Sequence, residues 1–354
     1  MKSNNFKGLN DLGEFGFIRR ISRGCLIRPQ NVVKAIGDDA AVFFQNAGKA
    51  TLLTTDLLVE RVHFFRDKIS GFNLGYKSLA INLSDIAAMG GEAQEAFISI
   101  AIPGDCEISY LEDFYEGVKT LATEFDVNIL GGDTTGSKAD LVINICVTGG
   151  AFEKEILYRH TAQKGDIVFS TGFLGDSRAG LHLIMNGVEA DTEELKALCE
   201  AHMLPKPYLR EGCFLAARDG MHAAIDVSDG LSSDIGHIAE ESKVGVCLYY
   251  EKIPVSDHLR GFCRRLGVDP VEYALSGGED YTLLCTAAPD KANRITTAYE
   301  QRFHRPLYPM GEITETGQMD LIYPDGQIKK FAVSGWDHFR KGAGQKLKFS
   351  ESES

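Results

Sequence analysis

The residues most capable of chemistry in this chain are carboxylates that stand at the ends of apolar runs, beside glycines or hydroxyl residues. A single buried carboxylate is costly, and several together repel one another unless a cation neutralises them. Few lysines or arginines lie beside these runs, so the expected partners are hard divalent metal ions, which prefer oxygen ligands. The runs are Gly37-Asp38-Asp39-Ala40-Ala41, Thr54-Thr55-Asp56, Asn82-Leu83-Ser84-Asp85, Gly131-Gly132-Asp133-Thr134-Thr135 and Asp226-Val227-Ser228-Asp229-Gly230.

Two of these runs favour a functional site over an ordinary structural role. A predicted strand, 51–56, ends in two hydroxyls and a carboxylate, all of them oxygen ligands, although Asp56 could instead cap the next segment. Asp85 lies in a predicted helix, 73–89, whose other residues are mostly apolar. Lys77 would suit a solvated face, but a helix packed nearly all round would require a cation for Asp85.

The other runs also have ordinary explanations. Gly-Asp before Asp39 is common turn chemistry, and metal ligation is about as well supported. For the double glycine of 131–135, taken in isolation, a plain turn at a strand end is the better explanation, although glycines also permit close approach to phosphate oxygens. Ser228 or Asp229 could cap the following helix, whereas Asp226, further back in a strand, has no such role.

The overall composition is that of an ordinary globular protein. A length of 354 residues suggests two domains, and the formal charge of −13 disfavours nucleic acid and anionic membrane surfaces as partners. The apolar runs are too short to cross a bilayer, and no signal peptide is readable. Eight scattered cysteines without a C-x-x-C pair suit a reducing cytoplasm, which is the expected location.

Alternating strand and helix patterns predict an α/β or α+β protein of two domains. We expect an N-terminal domain over 1–150, a C-terminal domain over 151–342 and a disordered tail over 343–354. The main predicted strands are 51–56, 97–102, 141–149, 166–171, 222–227, 245–250 and 281–287, and the main predicted helices are 73–89, 109–125, 177–186, 189–200, 208–219, 231–242 and 290–302.

Several familiar nucleotide and nucleophile motifs are missing from the chain. It contains no G-x-x-x-x-G-K-[ST] phosphate loop, no protein-kinase glycine loop and no G-x-S-x-G nucleophile elbow. If the protein handles ATP, metal ions and backbone amides must take the place of a phosphate-loop lysine.

Taken together and in order, the runs resemble the thiamine-monophosphate kinase family over nearly the whole chain. Single motifs are weak, but the ordered set is specific. The resemblance also rests on Leu12-Gly13-Glu14-Phe15-Gly16, Val62-His63-Phe64, Ser276-Gly277-Gly278-Glu279-Asp280-Tyr281 and Gly335-Trp336-Asp337-His338-Phe339.

The resemblance implies an α/β plus α+β fold like that of aminoimidazole-ribonucleotide synthetase, with the N-terminal domain dimerising through its sheet. It implies transfer of the γ-phosphoryl group of ATP to thiamine monophosphate by a homodimer, with several Mg²⁺ ions and without a phosphoenzyme. Carried over by motif, Asp85 and Asp226 are central to catalysis. The implied metal ligands are Asp39, Thr54, Thr55, Asp56, Asp85, Asp133, Asp226 and Asp229; the ATP contacts are Tyr115, Gly132, Asp133, Arg159 and Ser228; the substrate contacts are His63, Glu279 and Trp336.

Two departures and several rival functions stay open at this point. Arg61 stands where the family commonly has glycine, and Thr282 stands where it commonly has an acidic residue. The rivals are a hydrogenase-maturation dehydratase, a selenophosphate synthetase, the cyclo-ligase itself and a non-catalytic nucleotide-binding regulator. The first uses a C-terminal cysteine and this chain ends in Ser354, whereas the second usually needs an N-terminal cysteine or selenocysteine and the earliest here is Cys25. The retained carboxylates argue against a regulator.

Overall fold

The computed structural model describes residues 20–34, 42–43 and 50–331. Within these ranges the chain forms two sheets, each with its own helices, and a two-stranded ribbon of β1 (Val32–Lys34) and β2 (Val42–Phe43). Asp39, Trp336 and the predicted tail 343–354 lie outside the described residues.

The N-terminal sheet has four strands in the order β3-β6-β4-β5. β4 and β5 run parallel, whereas the β3–β6 and β4–β6 pairs are antiparallel. The strands are β3 (Ala50–Val59), β4 (Glu92–Pro103), β5 (Asn128–Ser137) and β6 (Val142–Ala151).

Helices α1 (Gly71–Ala88) and α2 (Ile108–Glu124) pack against each other and against one face of this sheet. The side-chain oxygen of Ser70 accepts a hydrogen bond from the Asn73 amide at 3.1 Å and so caps the start of α1. Of the 18 residues of α1, 14 are buried, because the helix lies between the N-terminal sheet and elements of the C-terminal unit. The prediction that this helix is packed nearly all round is confirmed.

The C-terminal unit is built on a seven-stranded sheet in the order β13-β12-β9-β11-β7-β10-β8. All its pairs are antiparallel except β9 with β12. Its strands are β7 (Ile167–Ser170), β8 (Met221–Asp226), β9 (Gly245–Tyr249), β10 (Leu283–Ala287), β11 (Tyr308–Thr314), β12 (Met319–Ile322) and β13 (Ile328–Lys330), and its helices are α3 (Asp176–Met185), α4 (Glu193–Met203), α5 (Leu209–Ala216), α6 (Leu231–Ser242), α7 (Asp257–Leu266), α8 (Pro270–Ser276) and α9 (Pro289–Phe303).

Helices cover both faces of the C-terminal sheet. On β10, Leu284 faces a core shared with α3, α4, α6, α7 and α8, and Cys285 faces a second core shared with α5 and α9. This explains why β10 reads as a continuous apolar run rather than an alternating one. β8 is the edge strand of this sheet and packs against α1, so its last residue, Asp226, is carried towards the N-terminal unit.

Most predicted elements are confirmed to within a few residues. The expectation that the strand ends at the double glycine is wrong, because β5 continues through Gly132 and Asp133 to Ser137 as a partner of β4. The patterns did not predict α7, α8 or the last three strands. Among the described residues, no helix is both long and apolar enough to cross a membrane.

Candidate active site

Strand β3 and helix α1 bring together three predicted site residues, Thr54, Asp56 and Asp85. Alternate residues of β3 point to opposite faces of the sheet, and Thr54 and Asp56 point to the face covered by α1. The Thr54 hydroxyl donates a hydrogen bond to Asp85 Oδ2, and the Asp56 amide donates one to Asn82 Oδ1 at 3.1 Å. Asn82 and Asp85, three residues apart, therefore present one helix face to the end of β3.

Asp226 reaches the same place from the other sheet. Its carboxylate is buried and accepts a hydrogen bond from the Ser84 hydroxyl of α1, with Ser84 Oγ 2.7 Å from Asp226 Oδ2. Ser84 is fully buried and precedes Asp85 in the chain. The carboxylates of Asp56, Asp85 and Asp226 thus form a three-carboxylate cluster drawn from both structural units.

The cluster carries more negative charge than its surroundings neutralise. Burial, followed by the Asp85 charge, raises the pKa of Asp56 to about 7. Burial also raises the pKa of Asp85, and burial and the Asp85 charge raise the pKa of Asp226. Like charges that disfavour each other's ionised forms in this way suit a site built for a cation.

Arg159 is the cation that acts on the three-carboxylate cluster from outside. It begins a short 3₁₀ turn, Arg159–Thr161, held by a hydrogen bond from the Ser242 hydroxyl to the Arg159 carbonyl at 2.8 Å. Its exposed guanidinium lowers the pKa values of Asp85 and Asp226, though not enough to overcome burial. A guanidinium beside carboxylates and open to solvent is suited to meet a phosphate group.

The donor atoms of the cluster fit a hard divalent ion. Three carboxylates and the Thr54 hydroxyl offer oxygen ligands only, which are the ligands that Mg²⁺ and Ca²⁺ take. The raised pKa values show that the carboxylates lack sufficient compensation from the protein itself. The residues present therefore fit the predicted magnesium.

Asp229 lies with residues that the sequence patterns did not single out as ligands. Ligand atoms of Asp229, Asp234 and His237 lie within 4.8 Å of one another. Asp234 Oδ2 accepts hydrogen bonds from the amides of Asp229 at 3.1 Å and Gly230 at 3.0 Å, which gives it a structural role. His237 follows Asp234 by three residues on α6, and this spacing was the signal available in the sequence.

The loop that carries Glu279 packs directly on the loop after β8. The Glu279 amide donates to the Ser228 carbonyl at 2.8 Å, and a Cβ on Gly278 would lie 2.2 Å from that same oxygen, so only glycine fits there. The backbone of Glu279 is left-handed, with φ 64°. Asp280 turns away and caps the start of α3 by accepting from the Gly175 and Ser177 amides at 2.6 and 3.1 Å.

Glu279 and His63, two predicted substrate contacts, lie near enough for the His63 charge to act on the Glu279 carboxylate. His63 follows β3, and its Nδ1 accepts a hydrogen bond from the Val59 amide at 2.9 Å. Burial alone would raise the pKa of Glu279, but Lys77 and then His202, with a smaller contribution from His63, hold that pKa below its ordinary value. His63 is half-buried, and the side chain of Glu279 is 28% exposed. Both can therefore meet a ligand.

Other predicted site residues lie on the opposite, open face of the N-terminal sheet. Thr55 is exposed there and accepts a hydrogen bond from Asn144 Nδ2 at 2.8 Å. The strand register aligns Asp133 with Ser99, Asn144 and Leu57 across the sheet. Asp133 is therefore three strand spacings, about 14 Å, from β3. The structure does not bring Thr55 or Asp133 into the three-carboxylate cluster of the same chain.

Gly132 and Tyr115 have well-defined places away from the cluster. A Cβ on Gly132 would lie 1.6 Å from the Ile98 carbonyl oxygen, so only glycine allows β5 to pair here. Tyr115 is buried in α2 beside Phe114, which packs against Gly75 of α1. Asp85 lies ten residues beyond Gly75, about 15 Å along the helix axis. The ATP-contact roles of Gly132 and Tyr115 stay predictions.

The two departures from the family pattern, Arg61 and Thr282, each have a defined local environment. Arg61 has φ 67°, a left-handed conformation that glycine adopts without steric cost, and its side chain pairs with Asp140 at 2.6 Å. Thr282 is buried, and its hydroxyl oxygen has no hydrogen-bond partner among the described residues, although its carbonyl accepts from the Val227 amide at 2.8 Å. Neither residue supplies a ligand to the three-carboxylate cluster.

Two family models match this chain, one in each structural unit. The model of the AIR synthase related protein N-terminal domain matches residues 37–151, and that of the C-terminal domain matches residues 163–324. Two such domains, meeting at a carboxylate cluster, place the chain in this class of proteins.

The nearer relatives are thiamine-monophosphate kinases. The Aquifex aeolicus protein is 37% identical over 332 residues, which cover 94% of this chain and 99% of the relative. A crystal structure of the Stenotrophomonas maltophilia protein is 33% identical with a TM-score of 0.79, covering 89% of this chain and 98% of that one. The A. aeolicus protein complexed with AMPPCP and TMP is 34% identical with a TM-score of 0.73, covering 95% and 100%. The chain belongs to the thiamine-monophosphate kinase family.

Proposed function

We propose that this protein transfers the γ-phosphoryl group of ATP to thiamine monophosphate, giving thiamine diphosphate and ADP. The observation that carries this proposal is the meeting of Asp56, Asp85 and Asp226 at the boundary of the two units, beside the Arg159 guanidinium. A related structure holds AMPPCP and TMP, an ATP analogue and the corresponding substrate, in the same fold.

Magnesium supplies the charge compensation that this reaction needs. Donor and acceptor are both polyanions, and Mg²⁺ neutralises phosphate charge and orients the reacting oxygens when it is bound. Thr54, Asp56, Asp85 and Asp226 would hold it, because they offer oxygen ligands at the boundary of the two units. Asp39, Thr55, Asp133 and Asp229 stay proposed ligands of the several Mg²⁺ ions, and of these Thr55 and Asp133 lie on the opposite face of the N-terminal sheet from the three-carboxylate cluster.

The protein's own residues position the substrates and form no covalent intermediate with the phosphoryl group. A phosphate oxygen of the substrate is already ionised near neutral pH and attacks the γ-phosphorus directly, so no side-chain nucleophile is required. Arg159, exposed beside the carboxylates, is the proposed contact for a phosphate of ATP, with Ser228, Gly132, Asp133 and Tyr115 as further proposed contacts. We expect inversion of configuration at a chiral γ-phosphorus, and net retention would refute direct transfer.

Substrate recognition is assigned to the other end of the site. His63 and Glu279 lie there with partly exposed side chains. A carboxylate accepts hydrogen bonds from amino groups and attracts cationic rings, and thiamine offers both. Trp336 is proposed as a further contact, stacking near the thiamine rings.

The open face of the N-terminal sheet supports the proposed homodimer. Leu53 and Leu57 of β3 are 67% and 54% exposed there, and Phe97 of β4, across β6 from them, is half-buried on the same face. Exposed apolar groups on one sheet face favour burial against a second copy. Thr55 and Asp133 lie on this same face, so such a dimer would bring them to the partner's surface.

A cytoplasmic location is also proposed. All eight cysteines fall within the described residues, and no disulfide joins any of them there. This suits a reducing compartment.

Product formation tests the function directly. Purified protein with ATP and Mg²⁺ should release ADP and form thiamine diphosphate from thiamine monophosphate. Thiamine and hydroxymethylpyrimidine phosphate serve as parallel substrates, since either would indicate a different kinase. Absence of turnover with thiamine monophosphate, in protein shown to be folded, would reject the proposal.

A further inference from the structure

A buried lysine and a buried histidine lie directly against the Glu279 carboxylate. Lys77 of α1 is 3% exposed, and its Nζ is 2.9 Å from Glu279 Oε1. His202 of α4 is 7% exposed, and its Nδ1 is 3.4 Å from Glu279 Oε2. Both carboxylate oxygens are thus held, one by each structural unit.

The contacts determine the protonation of His202. A lysine ammonium group only donates hydrogen bonds, and Lys77 Nζ lies 3.3 Å from His202 Nε2, so Nε2 accepts. The imidazole is therefore neutral and carries its proton on Nδ1. That proton points to Glu279 Oε2 or to the Ser177 hydroxyl, 3.0 Å away. Burial and then the Lys77 charge lower the pKa of His202 to about 4, in agreement.

The backbone around Glu279 is fixed as firmly as its side chain. The Glu279 amide is bonded to Ser228, and the next residue, Asp280, caps α3 at Gly175 and Ser177. The left-handed φ of 64° at Glu279 costs free energy for a non-glycine residue and persists only because these contacts impose it. The Glu279 carboxylate is therefore held in one orientation, with one oxygen against Lys77 and the other against His202.

We propose that Lys77 and His202 are positioning residues for the Glu279 carboxylate, which they hold ionised and oriented to accept from the substrate's amino group. The inference rests on the proposed function, since it concerns the substrate end of that site. Neither residue has room to contact substrate itself, because both are buried beneath the carboxylate.

The ionised state of Glu279 depends on a small set of neighbours. Lys77 is the buried cation among them, so replacing it with methionine keeps the side-chain stem and removes the charge that opposes burial. Protonation of Glu279 should then begin at higher pH. The titratable groups that act on Glu279 or feel its charge are Lys77, His63, His202, Asp280 and Tyr281.

The test compares Lys77→Met, His202→Phe and His202→Asn with wild type in steady-state kinetics. His222→Asn is the matched control, because His222 Nδ1 bonds Asp166 at 2.9 Å in a separate network. For Lys77→Met we expect KM for thiamine monophosphate to rise about tenfold, with KM for ATP within about twofold. The acidic limb of the kcat/KM profile should move to higher pH. The substrate's own titration affects wild type and Lys77→Met equally, so a difference between their acidic limbs reports a change in the enzyme.

The histidine variants separate positioning from packing. Asparagine places an N–H near the Nδ1 position, whereas phenylalanine fills the volume without a donor. We expect His202→Asn to retain more of kcat/KM for thiamine monophosphate than His202→Phe, and His222→Asn to match wild type. Thermal melts establish that each variant is folded.

Each outcome bears on a distinct claim. A wild-type protein inactive with thiamine monophosphate would reject the proposed function itself. An active wild type whose Lys77→Met variant shows an unmoved acidic limb, or equal changes in both KM values, would overturn the positioning role. One arm needs no variant: ¹⁵N-histidine NMR of the wild type should show His202 neutral with its proton on Nδ1 at pH 7, and an Nε2-protonated or charged ring would overturn the inference.

Discussion

Replacing Asp85 with asparagine should stabilise the metal-free protein while abolishing most of its turnover. Asp85 lies within the three-carboxylate cluster and contributes to the raised pKa values of Asp56 and Asp226. Asparagine keeps an oxygen that can accept from Thr54 but removes one negative charge. The same change that relieves repulsion removes a proposed metal ligand, so stability and activity should move in opposite directions.

The size of the stabilisation follows from Asp56. Its pKa rises from 3.8 to about 7 on folding, so the folded state binds more protons than the unfolded state between these values. Stability therefore falls as pH rises through this window, by about 4 kcal/mol in total at about 1.4 kcal/mol per pKa unit. Burial is the larger cause and Asp85 the second, so removing the Asp85 charge should recover about 1–2 kcal/mol from Asp56.

Two further effects add to this stabilisation. The Asp226 carboxylate loses its repulsion with Asp85, and the free-energy cost of burying a charged Asp85 disappears. We expect a total of about 2 kcal/mol, or a rise of about 3 °C in the thermal midpoint. The rise should appear at pH 8 in EDTA and shrink at pH 5, where Asp56 and Asp226 of the wild type are largely protonated. Turnover should fall about 100- to 1,000-fold, as when one preorganised charge contact to a transition state is removed.

Thermal melts at the two pH values and ADP release by a coupled assay supply the measurements. Mg²⁺ should raise the wild-type midpoint more at pH 8 than at pH 5, and should raise that of Asp85→Asn less. Asp219→Asn is the control, because it removes a charge from a side chain that is 83% exposed. A variant no more stable than wild type at pH 8 in EDTA, or one with turnover within about twofold of wild type, would refute the reasoning.

Two further substitutions test backbone positions. Arg61→Gly should raise the thermal midpoint by about 1–2 °C despite loss of the Asp140 ion pair, because glycine adopts the left-handed φ of 67° freely; a lower midpoint would show that the ion pair outweighs the strain. Gly132→Ala should destabilise the protein by about 3 kcal/mol or prevent folding, because its Cβ would lie 1.6 Å from the Ile98 carbonyl oxygen. Gly136→Ala is the control, because a Cβ there would have nothing within 4 Å. It should change the free energy of unfolding, measured by chemical denaturation, by less than about 0.5 kcal/mol. Equal stability of the two alanine variants would contradict this account of β5.

Local patterns were sufficient for much of the fold. The apolar spacing of Leu79, Leu83 and Ile86 predicted α1, and the mostly small residues 87–91 at its end predicted that it is packed nearly all round. The double glycine of β5 misled the same reasoning, because glycine is turn chemistry locally, whereas here Gly132 is required by the close approach of β4. Nothing local to 131–135 distinguishes these two uses of glycine.

The sequence predicted the types of residue in the candidate site but not which of them lie together. Oxygen-bearing side chains at the ends of apolar runs indicated a metal site before any fold was known. The period of two along β3 separates Thr54 and Asp56 from Thr55, but only the packing of α1 decides which face is enclosed. Asp133, which the resemblance groups with Asp56 as a metal ligand, lies three strands away.

The sequence by itself determined the chemistry available: several carboxylates, few cations beside them in the chain, and an ordered set of motifs shared with one kinase family. Tertiary structure alone decided which of those groups meet, because the decisive contacts join residues far apart in the chain. Ser84 donates to Asp226, and Lys77 pairs with Glu279, each across the boundary of the two units. Such pairings depend on how whole helices and sheets pack, and a residue's immediate neighbours in sequence carry no record of them.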